Sequence, residues 1–168
     1  MHYQVLQQFK KQLGFIDAWF DKAAEHAKAK NFDANVLVGM RLAPDQFTLA
    51  RQVQSACDTL KFGASRLTGK EPPSNPDTEQ TLDELRARVK TTIAYLDSFT
   101  EKDFDGAATR VITNPRWEGR TMSGANYFLE HTTPNFYFHL AHVYAILRHN
   151  GVDVGKRDWL GGYTFQPK

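Results

Sequence analysis

The chain has 168 residues, with 21 Lys and Arg against 19 Asp and Glu for a net charge of +2. That length supports a single domain over 1–168 with a sizeable core, and the balanced, scattered charge excludes a nucleic-acid stripe or a patch for an anionic membrane. Its one cysteine, Cys57, rules out an internal disulfide and any Cys-x-x-Cys metal knuckle, and at an apolar-periodic helix position it reads as a buried structural thiol. With no basic segment leading into an apolar h-region and no run of membrane-spanning length, a cytoplasmic protein is expected.

Apolar spacing along the chain is helical. Phe9, Leu13, Ile16 and Phe20 step by four, three and four, which predicts an amphipathic helix over 2–29. After an irregular link over 30–43, in which Val36, Leu37 and Val38 form a short apolar run, a second helix is expected over 45–68. Asp45 is its candidate cap, Leu49, Val53, Cys57, Leu60, Ala64 and Leu67 form its stripe, and Gly69 is its stop. Pro72, Pro73 and Pro76 mark an extended surface crossover. Thr81-Leu82-Asp83-Glu84 is a capping box that opens a third helix over 81–98, burying Leu82, Leu85, Val89, Ile93 and Leu96.

A long insert follows. Thr100 to Asp103 starts a short helical turn, Thr109 to Thr113 has strand composition, Asn114-Pro115 marks a turn, and Ser123 caps a short helix through Leu129. The fourth long helix is predicted over 134–149, with Thr133 as cap, Pro134 at the first position and Asn150-Gly151 as the stop. It is apolar on nearly every side, so His139 and His142 are expected inside the protein. Together these elements predict an all-α four-helix bundle with a long insert before the last core helix.

His139, followed by Leu147-Arg148 and Gly151-Val152, resembles the last core helix of the DinB/YfiT-like superfamily. Pro134 to His139, Tyr144 to Arg148, and Gly155-Lys156-Arg157-Asp158-Trp159-Leu160-Gly161 resemble an uncharacterised bacterial branch of it. The resemblance implies a DinB-like bundle whose usual metal site takes three histidines, one on the second helix and two spaced by four on the last. Only His139 matches that pattern. Asn135 stands four residues earlier, and Gln52, or Gln54 in another register, stands on the second helix. Amide oxygens are poor ligands for zinc or nickel.

His139 therefore reads first as a core imidazole hydrogen-bonded to Gln52, Asn135 or a tyrosine hydroxyl. His142, one turn away, and His131, beside Glu130, are candidate replacement metal ligands. His2, His26 and His149 read as solvated imidazoles.

Three functions remain open. The first is binding of a small molecule by a bundle with a degenerate metal site and no cofactor at full occupancy. The second is a metal-dependent enzyme, holding zinc or nickel through His139 with His142 or His131, of the hydrolase type or of the thiol-transferase type that the resemblance implies. The third is a stress-associated interaction protein. The 12% aromatic content, with Trp19, Trp159, Tyr163 and Phe165 as surplus to one core, predicts a homodimer. The segment after Gly155 is expected to dock Trp159, Leu160, Tyr163 and Phe165 on the bundle or on a second subunit.

Overall fold

The computed structural model describes residues 1–166, so the last two positions of the domain expected over 1–168 lie outside the described residues. Four long helices carry the fold. They are α1 (His2–Lys30), α2 (Leu49–Thr68), α3 (Leu82–Asp97) and, after the insert, α5 (Thr133–His149). Helix α1 contacts α2, α3 and α5, while α2 packs on α3 and, most extensively, on α5. Their apolar stripes meet in one cluster that includes Leu13, Ile16, Phe20, Leu60, Leu85 and Val143. Among the described residues no helix is long and apolar enough to cross a membrane.

The start of α2 differs from the expectation. Thr48, not Asp45, is the cap, its hydroxyl accepting from the Arg51 N–H at 3.3 Å. Both residue types cap well, but Thr48 directly precedes the first apolar-periodic residue, and the Leu49 N–H is already held by the Met40 carbonyl at 2.8 Å. Phe47 is thereby left on the loop. The stop at Gly69 is as expected, in a left-handed conformation with φ of 81°. In the link before α2, a 3-10 turn over Ala34–Gly39 buries Leu37 and Val38 but leaves Val36 exposed.

Helix α3 opens on the capping box. The Thr81 hydroxyl accepts from the Glu84 N–H at 3.2 Å, and the Glu84 carboxylate accepts from the Thr81 N–H at 3.0 Å. The proline-rich crossover is fastened by charge. The Arg88 guanidinium, 4% exposed, donates to Asp58 at 2.8 Å and to Glu79 at 3.1 Å, and Gln54 donates to Glu79 at 2.8 Å. Such buried pairs hold only while each partner keeps the others company.

In the insert, Thr100 opens a 3-10 turn over Glu101–Phe104, and β1 (Val111–Thr113) pairs antiparallel with β2 (Thr121–Ser123). The second strand, only three residues long, carried no sequence signal of its own. Ser123 then caps α4 (Gly124–Asn126), accepting from the Asn126 N–H at 3.2 Å. The chain does not break before Pro134, and this corrects the fourth predicted helix. It continues from α4 through a π-helical segment, Tyr127–Thr132, directly into α5, so Thr133 is not a cap. Its hydroxyl instead donates to the Phe128 carbonyl at 2.8 Å. The cause is Pro134, which supplies no N–H and crowds the preceding turn; widening that turn to π geometry accommodates the ring without ending the helix.

Helix α5 is also less enclosed than its composition implies. Pro134, Phe138 and Ala141 form an exposed strip, and His142 is half-buried. Beyond it, α6 (Lys156–Leu160) seats Trp159 against Trp19, with ring centroids 6.0 Å apart and planes 17° apart. Trp19 is 1% exposed and so is not a surface aromatic. Tyr163 and Phe165 are exposed and do not dock on this chain.

Candidate functional site

A cavity of about 550 Å³ opens where α2, the π segment and α5 meet the loop after β1. Its position follows from close packing at one point. A Cβ on Gly63 would lie 2.8 Å from Cγ2 of Thr132, a fully buried residue, so α2 approaches the π segment as closely as a glycine permits. The widened π turn directs His131 into the lining, and α5 contributes Asn135 and His139.

His139 is 8% exposed, and its Nδ1 lies 2.8 Å from Oε1 of Gln52. A carbonyl-type oxygen can only accept, so Nδ1 carries the proton and Nε2 the lone pair. Burial, then the charges of His142 and Arg51, lower its pKa to about 4. At neutral pH the ring is uncharged. The Phe47 ring lies parallel to it, with centroids 6.3 Å apart and planes within 10°.

The other expected residues part company. Asn135 turns to α2, donating to the Thr59 hydroxyl at 2.7 Å, and Thr59 donates to the Ser55 carbonyl at 2.7 Å. Gln54 serves the crossover through Glu79, which identifies Gln52 as the residue in register with His139. His142 is outside the cavity lining and donates Nδ1–H to the Phe138 carbonyl of its own helix at 2.7 Å. His131, in the π segment, stacks on Tyr127 at 5.1 Å with planes 20° apart, and its Nδ1 is buried with no partner among the described residues. Burial and the Arg66 charge lower its pKa.

The three positions that match the superfamily pattern thus hold one imidazole and two amides, each amide engaged within the protein. Among the described residues no three or more His, Cys, Asp and Glu side chains gather as a metal site. This donor set is a poor fit for zinc or nickel, which favour imidazole, thiolate or carboxylate.

Sequence reasoning missed the α2 wall of the cavity. Arg51, Ser55, Thr59, Phe62 and Arg66 all line it. They recur at steps of four, four, three and four, so the signal was present as a second stripe beside the apolar one. Arg116, on the loop after β1, and Tyr127 complete it. Those two come from the insert and have no periodicity to announce them.

Residues 1–160 match a family model described as a domain of unknown function, DUF1993. No curated protein matches the chain. A crystal structure of a DinB family member protein from Shewanella denitrificans is similar over nearly its whole length, at 48% identity and a TM-score of 0.94, covering 97% of this chain and 93% of that one. With a mostly helical fold and His139 standing on its last long helix, the chain belongs to the DUF1993 family, a DinB-like family.

Proposed function

We propose that this single DinB-like domain, a four-helix bundle with the hairpin insert before its last core helix, binds a small organic molecule in the cavity between α2 and α5. Its degenerate metal site serves as a neutral polar anchor. The observation that carries this reading is the state of His139. With Nδ1–H held by Gln52, the ring offers an uncharged acceptor, Nε2, at a cavity whose other walls supply hydroxyls, an amide and aromatic faces. Concave sites with a few fixed polar groups among apolar ones are the usual form of small-molecule sites. No metal is needed for that role, and any divalent ion binds weakly and below stoichiometry.

Fragment screening by 15N–1H correlation spectra tests the proposal. Hits are expected to shift Ser55, Thr59, Phe62 and Asn135 together and to lose affinity in Ser55→Phe, which fills the cavity. Hits that map elsewhere, or that bind Ser55→Phe equally well, would overturn it.

A second reading, a metal-dependent hydrolase or thiol transferase, is favoured by one observation: His131 and His139 line the same cavity. His142 lies outside that lining, so what supports this reading is the pair His131 and His139.

A further inference from the structure

The charge of the cavity wall narrows the class of ligand. Three guanidinium groups, Arg51, Arg66 and Arg116, line it with a single carboxylate, Asp58. Asp58 is already neutralised, since Arg88 lies 2.8 Å and Lys61 2.9 Å from its Oδ1. Arg51 is paired with Asp77. For Arg66 and Arg116 no carboxylate lies within ion-pair distance among the described residues.

Arg66 is also held in place. Its Nη1 donates to the Tyr127 hydroxyl at 2.7 Å, and its guanidinium carbon lies 5.5 Å from the Phe62 ring centroid and 5.6 Å from that of Tyr127. A half-buried guanidinium fixed by two aromatic faces, with no counter-charge, is pre-organised for an anion, because the remaining N–H donors present a planar fork. The lining histidines do not supply the missing negative charge, and the lining acid is spent. Phe47 and Phe62, both substantially exposed at the cavity, offer apolar faces that solvent alone would not favour.

We propose, building on the small-molecule reading above, that the cavity takes an aromatic acid. Its carboxylate or phosphate is gripped by Arg66 and Arg116, and its ring lies against Phe47 or Phe62. Charge-assisted fork contacts are the strongest hydrogen bonds available to such a site.

Benzoate, phenyl phosphate, benzamide and benzylamine share a ring and differ in the head group, so titrating each into the intact protein tests the inference. The two anions are expected to bind, to weaken with added salt, and to lose about tenfold or more in affinity in Arg66→Gln. Arg116→Gln, on an exposed loop, is expected to weaken them in the same direction without touching the helical core. Tighter binding of benzoate than of phenyl phosphate would identify a carboxylate as the head group, and the reverse order a phosphate. Binding of benzamide or benzylamine as tight as that of the anions, or anion binding indifferent to both variants, would overturn the inference. If benzamide nonetheless shifts Thr59 and Asn135, the small-molecule reading stands without the anionic class.

Discussion

The protonation of His139 sets a measurable property of the folded state. Its pKa falls from an ordinary 6.5 to about 4 in the fold, so between those values the unfolded chain binds a proton that the folded one does not. Stability therefore rises with pH through this window, is complete above about 6.5, and is lost progressively as pH falls from there to about 4; the shift corresponds to roughly 3–4 kcal/mol. Imidazole 15N spectra at pH 5.5 are expected to show His139 neutral with the proton on Nδ1, and a charged ring at that pH would refute the assignment. Cys57 gives a second prediction at this scale. Burial, outweighing a Thr92 hydrogen bond and the Arg88 charge, raises its thiol pKa to about 12. The native protein is expected to resist a thiol reagent at pH 8 and to react only when unfolded; rapid native labelling would contradict a purely structural thiol. The expectation of a hydrogen-bonded His139 was legible because the apolar periodicity of its helix required burial. Its choice of Gln52 over Asn135 was not, because both stand on faces that meet and only packing decides between them.

Among the elements, the join between α2 and the π segment is the most constrained. Gly63→Ala places a methyl 2.8 Å from Thr132 Cγ2, and a fully buried threonine has nowhere to retreat. The expected cost is roughly 1–3 kcal/mol in chemical denaturation. Thr132→Ser removes the clashing methyl, so the double variant is expected to recover most of the loss; equal costs with and without it would show that the contact is not the cause. This join also explains what could be read in advance. Helices α1, α2 and α3 were legible from stripes and caps, with an error of a few residues where Asp45 and Thr48 competed. The fusion of α4, the π segment and α5 was not, because Pro134 locally reads as a helix start, and whether it begins a helix or widens one depends on the chain before it. The cavity wall of α2 lay in plain view as a polar stripe, but polar stripes usually face solvent, and only the insert folding over this one makes it a lining.

For the whole molecule, the aromatic residues that predict a homodimer are not all on the surface. Trp19 is inside the core and Trp159 packs on it, so a second copy has to be drawn by the exposed residues Tyr163, Phe165 and Phe138. Sedimentation is expected to show a dimer at micromolar concentration, and a monomer across that range would reject it. On the function proposed above, this DinB-like fold keeps the histidine of the last helix as a neutral hydrogen-bonded anchor and not as a metal ligand. The direct test is elemental analysis of the protein purified without a chelator or a histidine tag, alongside His139→Leu. Zinc and nickel are expected well below one equivalent in both proteins. A full equivalent of either ion in the native protein, absent from His139→Leu, would contradict that role.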